Sequence, residues 1–300
     1  MSIAEHIAEG YSPSSIVRTC KTHHDTVERV ARVAAEHASA IHDTYAVDLK
    51  VTAVQADERW GFAATKKNQL WEAITLDPRS KFIIALHLGQ RTESTIRGLL
   101  EETVQRIIDP QSVVLYSDGL SLYASLFPEL FGVPFQASKS THLGRRCAVQ
   151  YRIPRSLAHV QVIKHRQGRK LETVEVKVAH GSKVRVELEN TRLGYTIANT
   201  SAIERYNGSA RESTMFMGRK GLSFARLPRS RVYASEITRL AYNWVRTNRS
   251  LRVPLVESIG RKRFEQRTPA MAIGITSRVW SWAELVVTTV WALAARNHST

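Results

Sequence analysis

Residues 49–57 read Leu49-Lys50-Val51-Thr52-Ala53-Val54-Gln55-Ala56-Asp57. Leu49, Val51, Ala53 and Gln55 alternate with Lys50, Thr52, Val54 and Ala56, which is the two-residue period of a β-strand, and the run ends on a carboxylate. Working outward, Lys66-Lys67-Asn68 reads as a polar turn, Gln69 to Leu76 as a second strand, and Asp77-Pro78-Arg79-Ser80 as a turn by composition. Phe82 to Leu88 is nearly all apolar, so it is expected to be a third strand buried on both faces. Three strands joined by short turns predict an antiparallel meander.

The period then lengthens. From Thr92 to Ile108, Ile96, Leu99, Leu100, Val104, Ile107 and Ile108 share one helical face, and Asp109-Pro110 ends it. Val113 to Tyr116 is a short strand that closes on Ser117-Asp118-Gly119, and Leu120 to Phe127 is a helix expected to stop at Pro128. The order β-β-β-α-β-α predicts an α/β fold with a mixed sheet and helices packed on it, which is the order of the ribonuclease H architecture.

Upstream, Ser12-Pro13 opens a short helix, Lys21 to His24 breaks it, and a second helix starts near Asp25 with Val27, Val30, Val33 and Ala34 on one stripe. This is a helix-turn-helix candidate with Arg29 and Arg32 on the second helix, and with Lys21 where such turns often hold glycine. Downstream, residues 134–195 alternate over His159 to Lys164, Glu172 to Val178 and Lys183 to Leu188, so they are expected to form a small basic β-ribbon inserted into the core. Beyond Ala202 the chain reads as helical and cationic, with Arg205, Arg211 and Lys220 among its candidate phosphate contacts. Ser235 is expected to cap a helix carrying Ile237, Leu240, Ala241, Trp244 and Val245, and Arg261-Lys262-Arg263 to lie in a loop. The division that follows is a helical region over 1–46, an α/β core over 47–255 with an insertion at about 134–195, and a helical tail over 256–300.

The chain has 300 residues, with 43 Lys and Arg against 27 Asp and Glu, a net charge of +16. Such an excess favours a polyanionic partner, most simply nucleic acid. Two cysteines, Cys20 and Cys147, give neither a disulfide framework nor a cysteine-rich zinc site, and a cytoplasmic setting fits. The N-terminal residues lack a basic start followed by an apolar core, so no signal peptide is expected. Val279 to Ala295 is too short and too polar to span a bilayer. It is expected to be a packed helix, with Trp280, Trp282 and Trp291 as core residues.

Acidic residues are scarce, so their positions inform. Asp57 ends one strand, Asp118 ends another, and Glu204 lies in the first turn of a helix. In a ribonuclease H-type sheet the first and fourth strands are neighbours, which would set Asp57 and Asp118 together, and a helix crossing that edge would bring in Glu204. Of the pair Asp57-Glu58, alternation puts only Asp57 on the face of Ala53 and Gln55. Three carboxylates within about 4–8 Å repel unless cations lie between them, and hard oxygen ligands suit Mg²⁺ or Mn²⁺. Two such ions about 4 Å apart can activate one oxygen and stabilise the leaving one in an in-line phosphoryl displacement.

Several ordered blocks resemble DDE transposases of the insertion-sequence-one type, within the ribonuclease H-like integrase superfamily. They are Val54-Gln55-Ala56-Asp57-Glu58-Arg59-Trp60-Gly61-Phe62, Tyr116-Ser117-Asp118-Gly119-Leu120, and Asn199-Thr200-Ser201-Ala202-Ile203-Glu204-Arg205-Tyr206-Asn207. Asn248 to Arg252 and Arg267 to Thr276 resemble the family's tail, although Asn248 stands where relatives often carry histidine. The resemblance implies that Asp57, Asp118 and Glu204 are catalytic and ligate two divalent ions, that Asn207 and Arg211 hold the DNA strand, and that the N-terminal helices read the element's terminal inverted repeats. It further implies double-stranded DNA as partner, at least a homodimer when assembled on DNA, a nucleoid-associated protein and no membrane. The expected function is strand cleavage and strand transfer at the ends of an insertion sequence. The alternatives are a catalytically silent DNA-binding repressor of the same ancestry and a metal-dependent nuclease that never joins strands.

Overall fold

The computed structural model describes residues 2–135, 149–168, 170–217, 223–259 and 262–288. Ser2 and Glu5 form a capping box at the start of helix α1 (Ile3–Ala8), and Ser12 with Pro13 at the first position starts α2 (Pro13–Cys20). A turn at Lys21 leads to α3 (His24–Tyr45). Lys21 takes φ +49° and ψ +50°, the left-handed geometry that glycine adopts at least cost. The buried stripe of α3 is Val27, Ala35, Ala38, Ile41 and His42, whereas Val33, expected on the stripe, is exposed. The reason is tertiary: Ala35 packs in one cluster with Ala8, Ile237 and Ala241, so the partner elements choose the face.

The sheet follows in β1 (Ala53–Arg59), β2 (Phe62–Ala63), β3 (Thr65–Gln69), β4 (Trp71–Leu76), β5 (Ile83–Gly89), α4 (Glu93–Arg106), β6 (Val114–Ser117), α5 (Ser121–Phe131), β7 (Val133–Phe135), β8 (Gln150–Arg152), β9 (Ala158–Gln167) and β10 (Lys170–His180). Six strands form one mixed sheet in the order β10-β9-β6-β1-β4-β5. β1, β4 and β5 are the expected antiparallel meander; on the other side of β1, β6 runs parallel to β1 and β9 parallel to β6, with β10 antiparallel at the edge. This mixed α/β sheet is compatible with a ribonuclease H-like fold.

Several local expectations are corrected. β1 starts at Ala53 and continues past Asp57, because Glu58 and Arg59 still pair with Ala73 and Glu72 of β4. Lys66, Lys67 and Asn68 are not a turn; they lie in β3, which is exposed along its length and pairs with β2 as a hairpin. α5 runs through Pro128. Proline lacks the N–H that would bond the carbonyl four residues back, Ala124, and His180 Nε2 bonds that oxygen instead at 2.7 Å. In the described part of 134–195 the chain does not form a separate inserted ribbon: β9 is a strand of the main sheet, β10 is its edge, and Lys183 to Leu188 is helical, within α6 (Lys183–Leu193). Only the far end of the β9–β10 hairpin projects past β6.

After α6 come α7 (Ser201–Ser213), α8 (Pro228–Leu240), β11 (Val253–Ile259), β12 (Lys262–Glu265), α9 (Pro269–Ile273) and α10 (Trp282–Val287). Ser235 lies inside α8 rather than at its cap, where its hydroxyl donates to Glu72 at 3.2 Å. A π-helical turn, Ala241–Val245, extends α8, and Lys262 and Arg263 are in β12 rather than a loop. That turn aims Asn243 at the outer edge of β5, where its buried amide bonds both the N–H and the carbonyl of Ile83 (3.0 and 3.1 Å). Trp280 and Trp282 pack against the core as expected, and Trp291 lies outside the described residues.

Helices cover both faces of the sheet. On one, Val54, Ala56, Ile84 and Leu115 pack with Leu99 and Leu100 of α4 and Phe127 of α5. On the other, Ala53, Val114 and Val160 meet Val186 of α6, and Ile74 and Leu76 meet Ile203 and Tyr206 of α7. Burial on both sides explains why apolar residues fill β5 without alternation. One buried polar knot ties α8 to the sheet: Glu72 pairs with both Arg59 and Arg231, all nearly inaccessible. Gly61 admits Arg231, since a Cβ there would stand 1.4 Å from its guanidinium. Among the described residues no helix is long and apolar enough to cross a membrane.

Candidate active site

The parallel pairing of β1 with β6 sets Ala53 against Val114 and Gln55 against Tyr116. Carried two residues further, the register places Asp118 beside Asp57, and adjacent strands lie about 4.8 Å apart. Alternation puts Asp57 on the face of Ala53 and Gln55, the face covered by α6 and α7. Glu58 points the other way, toward α5, where Tyr123 donates to its Oε1.

α7 brings the third acid. Its start lacks a cap from its own side chains, because the Thr200 hydroxyl donates to Glu204 instead. The cap comes from the sheet: Gln55 Oε1 accepts from the Ile203 N–H at 2.9 Å, and Gln55 Nε2 donates to the Asn199 carbonyl at 2.9 Å. Gln55 is fully buried, and it locks the strand of Asp57 to the helix of Glu204. One turn on, Asn207 Nδ2 donates to Asp57 Oδ2 at 2.6 Å.

Charge crowds here. Burial, then the neighbouring Glu58, Asp118 and Glu204, push the Asp57 pKa up to about 7. Burial also raises that of Glu58. Two cations answer the excess. Arg91 donates to Glu58 Oε2 at 2.9 Å and lies 3.6 Å from Asp118 Oδ2, while Lys164 of β9 pairs with Glu204. Asp118 Oδ1 also accepts the Leu120 N–H at 2.9 Å. Among the described residues no three His, Cys, Asp or Glu side chains converge in metal-ligating geometry. The donor set fits a hard divalent cation, being carboxylate oxygens in a buried setting where neighbouring acids add to the cost of the charged form.

The expected DNA contacts fall in different places. Arg29 and Arg205 are exposed, and Arg32 is exposed but pairs with Glu36 at 2.9 Å. Asn207 does not face outward; it is buried against Asp57, with its Oδ1 unpartnered. Arg211 lies in the last turn of α7, half-buried, and Lys220 lies outside the described residues. Sequence reasoning missed the roles of Gln55, Glu58, Arg91 and Lys164. A glutamine in the apolar centre of a strand was the available signal for Gln55, since a buried amide needs partners.

Residues 50–136 match the IS1 transposase family. The insertion element IS1 protein InsB of Shigella sonnei is 30% identical over 76 residues, which cover 25% of this chain and 54% of that protein. The insertion element IS1 9 protein InsB of Escherichia coli K12 is 30% identical over 76 residues, 42% of its own length. The chain therefore spans about half the length of the curated relatives it matches. The resemblance to IS1-type transposases holds over the segment that carries Asp57 and Asp118, and Glu204 lies beyond the family match.

Proposed function

We propose that this chain is the transposase of an insertion element and that Asp57, Asp118 and Glu204 are its catalytic carboxylates. The observation that carries the reading is geometric: the β1–β6 register sets Asp57 beside Asp118, and α7, tied to β1 through Gln55 and Asn207, brings Glu204 to the same face. The similarity to IS1 transposases supports it over the segment holding two of the three acids. The three carboxylates would hold two Mg²⁺ or Mn²⁺ ions, which lower the pKa of a water and stabilise charge developing on a phosphodiester.

The chain's own residues then do the following. Asn207 fixes the Asp57 carboxylate, and Gln55 fixes the helix that presents Glu204. Arg91 and Lys164 neutralise Glu58, Asp118 and Glu204, and each becomes a cation within reach of a phosphate when its carboxylate turns to an ion. Glu58, held by Tyr123, lies on the far side of β1 and adds to the field at Asp57. The partner is double-stranded DNA carrying the element's terminal inverted repeats, and pairing two ends calls for at least a dimer on DNA.

The test is transposition in cells from a plasmid bearing the element's ends. Asp57→Asn, Asp118→Asn and Glu204→Gln, made singly, are each expected to abolish excision and insertion while the protein still binds DNA. Undiminished transposition in any of the three would remove that residue from the catalytic set. Cleavage without joined products from the wild type would favour the nuclease.

A further inference from the structure

Three aromatic rings stand in a row where β1 leaves the sheet. Trp60 follows β1 directly, Phe62 opens β2, and Phe224 lies beside them because Ala63 bridges Ala225 and the Ala64 N–H donates to the Ala225 carbonyl at 2.8 Å. The centroids of Trp60 and Phe62 are 5.5 Å apart, and those of Phe62 and Phe224 are 5.7 Å apart at 30°. Trp60 is 47% exposed and Phe224 43% exposed, so the row keeps open ring surface. Single exposed aromatics are ordinary, but an aligned row with open faces is the geometry on which nucleic-acid bases stack.

Charge and position agree. From Trp60 to Leu70 the chain carries Lys66 and Lys67 and no acid, and both lysines are exposed on β3. At about 3.3 Å per residue, the Trp60 backbone is about 10 Å from that of Asp57, the reach of about three nucleotides. Arg91, which bonds Glu58 and lies beside Asp118, also stacks over Trp71 at 4.8 Å, which sets a further ring beside the carboxylates.

We infer that Trp60 and Phe224, backed by Phe62, stack an unpaired base of the processed strand within about three nucleotides of the scissile phosphate. This rests on the transposase reading and adds to it that the site engages a frayed or unstacked end. The base must be unpaired because a duplex offers a protein only base edges, not ring faces.

The experiment uses the full chain and two synthetic duplexes of one sequence, one fully paired and one with three unpaired terminal nucleotides that include 5-iodouracil. The wild type is expected to bind the frayed duplex about tenfold more tightly. Trp60→Ala and Phe224→Ala are each expected to lose that preference with affinity for the paired duplex unchanged, and Trp60→Phe to keep most of it. Irradiation is expected to crosslink the iodouracil to Trp60 or Phe224. The inference is overturned if both alanine variants keep the preference, if the crosslink maps elsewhere, or if the variants change only self-association, which would make the row a protein contact. In those cases the transposase reading survives. Binding of neither duplex by the wild type would remove that reading and this one together.

Discussion

Asp57 is caught between two demands. Burial and three neighbouring acids push its pKa up to about 7, whereas in the unfolded chain it titrates near 3.8. Between those values the folded chain binds more protons than the unfolded one, so stability falls as pH rises from about 4 to about 7. Ligating a cation needs the charged form, so Mg²⁺ affinity should rise over the same range, with a proton released on binding. Asp57→Asn removes the charge, and its new N–H₂ meets an acceptor when Asn207 turns over its unpartnered Oδ1. With a chelator present, that variant should be more stable than the wild type by about 1–3 kcal/mol at pH 8, and by less toward pH 4. Urea unfolding at several pH values measures the difference. A variant less stable than the wild type at pH 8 would contradict the crowding of charge at Asp57.

At the scale of the element, α7 shows how the site is set. Its first turn is capped from β1 by Gln55, so the position of Glu204 depends on a residue two places before Asp57. Gln55→Met keeps the volume and leaves the Ile203 N–H and the Asn199 carbonyl without partners. The expected cost is about 1–3 kcal/mol of stability and about tenfold in Mg²⁺ affinity, since groups that orient ligands carry effects of that order. Calorimetric titration of the folded variant reads the second effect, and unchanged Mg²⁺ affinity would show that Gln55 serves packing alone. The same scale explains what the sequence made legible. The meander, α4 and β6 followed from period and turn chemistry, because each is a local pattern. Lys183 to Leu188 misled because its valines alternate, yet Val184 is 74% exposed and the helix is decided by Ser182, which caps Arg185, and by Gly194 at φ +70°. Asp57, Asp118 and Glu204 were legible as scarce acids in ordered blocks. Arg91, Lys164 and the outward-expected Asn207 were not, because their partners lie far away in sequence and only the assembled sheet brings them together.

At the scale of the molecule, the charge of +16 is not spread as a uniform coat. Arg59, Arg185, Arg231 and Arg239 are buried and paired with Glu72, Glu189 or Glu236, so they hold the fold together and have no reach to a phosphate. Arg29, Arg205, Lys66 and Lys67 are exposed and can release counterions from DNA. If DNA is the partner, the logarithm of affinity should fall linearly with that of salt concentration. Six phosphate contacts would give a slope of about −5 and a loss of about a thousandfold between 50 and 200 mM. Arg205→Ala should weaken binding at every sequence and make the slope shallower by about one, because it removes a single phosphate contact. Arg239→Ala should leave the slope unchanged and lower the unfolding midpoint instead, because it uncouples Glu236 in the interior. Fluorescence anisotropy with duplex DNA across a salt series separates the two classes. Equal slopes for Arg205→Ala and wild type would place the phosphate contacts away from α7, and a flat response in the wild type would remove DNA as the partner of the positive charge.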